Sequence, residues 1–155
     1  MSRFEINTRI EGFSRIDFDK KPIKKTMRHI GQKVQTDARR LVARRAISQG
    51  GEYPGKSTGA LQRSTKFKLS KPGFMVTIKP QVNAQTVKGG EFYPGILYYG
   101  VRRGATRRKD KQKQQLEGPW RIEPRGNHVV DAAEARRAWA EETIAQALVE
   151  SLIWK

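Results

Sequence analysis

Apolar residues along the chain recur with different periods, and each period predicts an element. Near the start Phe4, Ile6 and Ile10 alternate loosely with polar residues, and Phe13, Ile16 and Phe18 follow, which predicts one or two short strands. From Ile23 the period changes. Ile23, Met27, Ile30, Val34, Ala38 and Leu41 recur at three and four residues, the signature of one helix face, with Asp19 placed as N-cap and Pro22 in the first turn. The helix is predicted from about Lys21 to Ile47, stopping before Gly50 and Gly51. At ~1.5 Å per residue it would be on the order of 40 Å long, so one flank must extend past the core or lie against a neighbour.

The stretch SQGGEYPGKSTG, ending at Gly59, breaks every period and predicts an exposed loop. Phe67 and Leu69 then alternate with lysines, Lys71-Pro72-Gly73 marks a turn, and Phe74, Val76 and Ile78 alternate with Met75, Thr77 and Lys79. Together they predict a hairpin with one apolar face. The aromatic segment from Phe92 to Tyr99 predicts a further strand, broken or bounded by Pro94-Gly95, and Trp120 with Ile122 a short one. Asp131 is placed to cap a last helix whose face is Ala133, Ala140, Ile144, Ala147, Leu148 and Leu152, with Trp139 on its flank. Helix, strands, loop, strand and helix in this order predict an α+β fold, a mainly antiparallel sheet with the two helices packed on one face. No internal repeat is visible.

Composition changes this picture in one respect. A chain of 155 residues has room for one domain, spanning 1–155, but 36% hydrophobic and 30% charged residues leave it a thin core. Burial against a partner is expected to supply more. Without cysteine, thiolate metal sites, disulfides and cysteine nucleophiles are excluded. No apolar run is long enough for a signal peptide or a membrane span, so a soluble chain made in the cytoplasm, with no membrane partner, is expected.

The search for reaction chemistry yields little. Both histidines, His29 and His128, read as surface or half-buried groups. His128 and Asp131 could share a helical turn as an ion pair or one edge of a metal site, a spacing that also arises by chance. Gly55-Lys56-Ser57 has no strand before it, as a phosphate-cradling loop would, and reads as loop chemistry. Glu52, Glu91, Asp110, Glu117 and Glu123 lie in glycine-rich or basic surroundings that would keep them ionised. The sequence therefore predicts no enzyme, with no catalytic residue, cofactor or metal.

Charge is the stronger signal. There are 32 Lys and Arg against 15 Asp and Glu, a formal charge of +17. On the long helix Lys20, Lys21, Lys24, Lys25, Arg28, Lys33, Arg39, Arg40, Arg44 and Arg45 stand against Asp37 alone, and a face of one sign calls for an acidic partner. Residues 102 to 113 add Arg102, Arg103, Arg107, Arg108, Lys109, Lys111 and Lys113 against Asp110, in a loop at about 102–118 expected to be mobile in the free subunit. The last helix is locally acidic, with Asp131, Glu134, Glu141, Glu142 and Glu150 against Arg136 and Arg137. Nucleic acid and an acidic protein surface both fit the basic groups. Phe92, Tyr93, Tyr98, Tyr99 and Trp120 could stack on bases or pack in the core.

The order of local motifs goes further. Thr58-Gly59-Ala60-Leu61-Gln62-Arg63-Ser64 follows the long helix and leads into a lysine-rich hairpin; Tyr98-Tyr99-Gly100 precedes the basic loop; Asn127-His128-Val129-Val130 leads into the last helix. This arrangement, over about residues 20 to 153, resembles the tail-completion proteins of tailed bacteriophages, also called head-to-tail joining, tail-terminator or neck proteins. The motif positions are Thr58, Gly59, Leu61, Ser64, Tyr98 and Gly100. Tyr99 and Val101 around Gly100 depart from the family's acidic residue and threonine, which leaves the subfamily open. The resemblance implies a structural virion protein forming a homo-oligomeric ring, expected to be a hexamer, at the head-tail junction. Its partners would be the tail tube and the head-tail connector, with DNA possible in the channel. The basic loop and Glu141 with Glu142 would meet neighbouring subunits. A basic nucleic-acid-binding protein of ribosomal or nucleoid type is the alternative.

Overall fold

Asp19 opens the first helix as its spacing predicts: its carboxylate accepts from the Lys21 amide at 2.9 Å, and α1 runs Lys20–Leu41. These and all other coordinates come from a computed structural model, which describes residues 16–42, 47–83, 86–88, 91–103 and 118–154. The helix stops at Leu41, with Val42 turning into extended backbone as its C-cap, and Ile47 is exposed outside it. The predicted end at Ile47 was therefore too late. Arg44 and Arg45 lie outside the described residues, as do the apolar positions Phe4 to Phe13.

The remaining elements are β1 (Ile16–Phe18), α2 (Ala60–Ser64), β2 (Thr65–Leu69), β3 (Val76–Pro80), β4 (Val87–Lys88), β5 (Glu91–Phe92), α3 (Tyr93–Tyr99), β6 (Val101–Arg102), β7 (Trp120–Ile122), α4 (His128–Ala135), α5 (Arg137–Ser151) and β8 (Leu152–Trp154). The fold is α+β. Every strand pair is antiparallel, in four two-stranded ladders: β1 with β8, β2 with β3, β4 with β5, and β6 with β7.

The core forms around α1. Ile30, Val34 and Ala38 are buried with Ala132 of α4, and Met27, Leu41, Ile78, Val129, Trp139, Ala140 and Ile144 pack around them. The hairpin β2–β3 lies directly on the helix backbone at Gly31, where an added Cβ would stand 2.7 Å from the Phe67 ring and 3.0 Å from Val76. On the α5 side, Arg136 reaches across to Asp37 at 2.6 Å and the Trp139 ring meets His29 edge-on. The first helix is thus held between the hairpin and the C-terminal helices.

Four expectations are corrected. The segment from Tyr93 to Tyr99 is a helix, because Pro94 sits in its first turn and Gly100 ends it at φ 70°; the strand is confined to Glu91–Phe92. The last helix is two helices meeting at Arg136, and its cap is Asn127, whose side chain accepts from the Val129 and Val130 amides, not Asp131. That break shifts the helical phase. Ala132 is buried in place of Ala133, and Leu148 and Leu152 remain 43% and 36% exposed. Ala60–Ser64, expected as a turn, forms a helical turn after Gly59 at φ 71°, and Phe74 lies in the hairpin turn at 48% exposure instead of in the strand.

Candidate assembly site

Three separate sequence segments, 58–65, 98–100 and 127–130, meet at one buried histidine. His128 is fully buried, not the surface or half-buried group the sequence suggested. The Thr65 hydroxyl donates to the Leu61 carbonyl at 2.9 Å, so it accepts from His128 Nε2–H at 3.4 Å. Nδ1 is then left to accept from the Tyr98 hydroxyl at 3.2 Å. Burial lowers the His128 pKa to about 4, against a smaller opposing pull from Asp131, and burial raises that of Tyr98. A neutral imidazole and a protonated phenol fit this arrangement, which ties α2, α3 and α4 together and leaves no ring nitrogen to act on a ligand.

The motif residues serve that junction. Leu61 is buried and its carbonyl also accepts from Ser64 Oγ at 2.9 Å, while Thr58 Oγ1 accepts from the Ala60 amide at 3.3 Å. At Gly100 a Cβ would lie 2.8 Å from both the Ile122 carbonyl and the Trp120 ring, so β7 sits on the end of α3 only because no side chain is there. Asp131 does not face His128 as an ion pair; it accepts a hydrogen bond from the Tyr53 hydroxyl, which raises the tyrosine's pKa. Among the described residues no group of three metal-ligating side chains forms.

A pocket of about 340 Å³ opens beside this junction, between Val42, the loop 55–59, α2 and α3. Val42, Leu61 and Leu97 give it apolar walls, and Lys56 and Arg125 are its cations. Arg125 is held by its backbone: its amide donates to the Leu97 carbonyl at 2.7 Å, and flanking bonds run from Gly51 to Pro124 and from Gly126 to Glu52. Its Nε and Nη1 are buried with no hydrogen-bond partner, a costly state for a guanidinium. Sequence reasoning passed over Arg125, since one cation in a Pro- and Gly-containing segment of a basic chain carries no signal. Gly55-Lys56-Ser57, read as loop chemistry, lines the same pocket.

The charged residues expected at an interface are divided. Arg102 stacks over the Trp120 ring, 3.9 Å from its centroid, and donates to the Gly118 carbonyl, while Arg103 is exposed. Arg107, Arg108, Lys109, Lys111 and Lys113 lie outside the described residues, as does most of the loop expected to be mobile. Glu141 is exposed and pairs with Arg137 at 3.3 Å; Glu134 meets the same arginine at 3.3 Å. Glu142 and Glu150 are exposed and make no ion pair among the described residues. The aromatic residues are divided too: Tyr98 is a core group and Tyr99 is 82% exposed.

Two surfaces carry opposite character. Along α1, Lys20, Lys21, Lys24, Lys25, Arg28, Lys33 and Arg40 are exposed, and on the outer face of the hairpin Lys66 stands directly opposite Lys79. Like charges so placed repel, which favours an acidic partner there. At the end of α5, next to the start of α1, Leu148, Val149, Leu152 and Ile153 are exposed near Phe18 and Glu150, so this end carries exposed apolar and acidic side chains. Comparison with protein-family models, with curated proteins and with solved structures found no match.

Proposed function

We propose that this chain is a ring-forming structural subunit of a tailed-bacteriophage virion, at the junction between tail tube and head connector. The observation that carries the proposal is the exposed apolar and acidic edge made by the end of α5 with β1 and β8. A two-stranded ladder has open edges, and a thin-cored subunit gains most by covering them with another copy. The motif order supports the family, and among the described residues no group built for proton transfer or nucleophilic attack accompanies it. The ring is expected to hold six copies and to reside in the neck of the virion.

Sedimentation and negative-stain imaging of the purified protein, alone and with a tail-tube protein, test the proposal. Closed rings, alone or seated on tube ends, are the expected result. A protein that stays monomeric and leaves tube ends bare would overturn it.

The row of exposed lysines on α1 and the Lys66–Lys79 pair favour a second reading, in which these faces contact nucleic acid, in the channel of a ring or as the activity of a ribosomal or nucleoid-type protein. Changing Lys66, Lys68 and Lys79 to Gln should then lower the log-log salt slope of DNA binding by roughly one for each phosphate no longer neutralised. An unchanged slope removes the hairpin from any DNA contact.

A further inference from the structure

We infer that the Arg125 pocket is the acceptor for a carboxylate from a second copy of this chain, and that Glu150 is the group it receives. The inference rests on the ring reading and gives it one specific contact.

The pocket states the chemistry of its occupant. Nε and Nη1 of Arg125 are buried and unpartnered, Lys56 adds a second cation, and no acidic side chain is among the described residues that line it. Its walls at Val42, Leu61 and Leu97 are apolar. An oxyanion on a slim aliphatic stem fits such a site. Nε and Nη1 are shut off from solvent in the free chain, so any anion reaches them only as the Arg125 side chain turns toward the opening, and a carboxylate on one aliphatic stem asks for less widening than a phosphodiester flanked by two sugars.

Glu150 has the matching character. It is exposed, makes no ion pair among the described residues, and stands beside Val149, which is 70% exposed. A carboxylate on an aliphatic stem flanked by an apolar side chain meets a guanidinium flanked by apolar walls.

Within one chain the two cannot meet. The Asp19 amide donates to the Ser151 carbonyl at 2.9 Å, which fixes the end of α5 at the start of α1, whereas the pocket is lined by Val42 at the other end. The 22 residues of α1 separate the two by roughly 33 Å at the helical rise. Donor and acceptor at opposite poles make a head-to-tail contact, the kind that closes into a ring or grows into a filament.

The chain has no cysteine, so cross-linking tests the contact cleanly. In the double variant Ser57→Cys with Gln146→Cys, which keeps Lys56, Arg125 and Glu150, a short bismaleimide cannot span one chain and must join copies. A ladder of covalent oligomers ending at the closed ring is expected, against at most dimers for each single variant. Arg125→Gln should weaken association by roughly 30-fold, and the reversed pair Arg125→Glu with Glu150→Arg should assemble better than either single change. Rings that form in the wild type but give no ladder overturn the contact and leave the ring reading standing. A ladder that never closes keeps the contact and removes the ring. If Arg125→Gln lowers the salt slope of DNA binding while no ladder forms, the pocket takes phosphate and the inference fails.

Discussion

Two cation-capable side chains with buried nitrogens lie three positions apart in sequence, and the fold treats them in opposite ways. His128 is fully enclosed, and both its ring nitrogens are engaged by hydroxyls of the same chain. Arg125 is equally fixed through its backbone, yet its buried Nε and Nη1 meet no protein partner. A buried polar group that is satisfied internally specifies the fold, whereas one left unsatisfied costs stability and is retained where something outside the chain completes it. The difference separates an architectural residue from a receiving one without reference to any motif.

The largest test of that contrast removes His128. His128→Ala leaves a cavity and strands the Tyr98 hydroxyl and Thr65, so a loss of about 3 kcal/mol or more is expected in chemical denaturation. A change below about 1 kcal/mol would mean the junction does not organise the fold. A comparable effect should follow from acid. The folded pKa near 4 lies below the ordinary value of 6.5, so the unfolded chain binds the proton first as pH falls. The stability that His128 contributes is therefore complete above pH 6.5, declines between 6.5 and 4, and levels below 4. The total is about 3 kcal/mol at 1.36 kcal/mol per pH unit. Tyr98 and Asp131 are the titratable groups acting on it. In His128→Gln the step between pH 6.5 and 4 should vanish from the stability profile.

Smaller effects sharpen the comparison. Tyr98→Phe removes the donor to Nδ1 and should cost about 1 to 2 kcal/mol, read as a lower Tm with a partly restored His128 titration by NMR. Arg125→Leu should have the opposite sign, raising the stability of the free subunit by about 1 kcal/mol while assembly is lost, since an unpartnered buried guanidinium is replaced by a side chain suited to apolar walls. Destabilisation of the monomer by Arg125→Leu would place Arg125 with His128 as an architectural group.

The contrast also marks what the sequence could disclose. Helix α1 and the hairpin were legible because each buries one face, and burial writes a period into the chain: Ile23 to Leu41 for the helix, Phe67, Leu69, Val76 and Ile78 for the hairpin. The α+β class followed from them. Helix α3 was not legible, because Tyr93 to Tyr99 has the composition of a strand and becomes helical only through Pro94 in its first turn, Gly100 at its end and the packing of Tyr98 on His128. The break at Arg136 was hidden because a continuous helix through the same alanines looks equally apolar, and it moved Ala133 out of the core. Arg125 and Glu150 could not be joined from sequence, since an unpartnered nitrogen is a property of the packed chain and not of residue type.

The ladder joining Ile16–Phe18 to Leu152–Trp154 has a consequence in time. Nearly all the described chain lies between these strands, so their pairing closes the longest loop in the fold and should be among the last contacts made. The apolar and acidic edge takes its final form only with that closure. On the proposed ring reading, a subunit still emerging from the ribosome lacks the surface by which it would join a neighbour, and the order of synthesis delays that contact until residues 152–154 have been made.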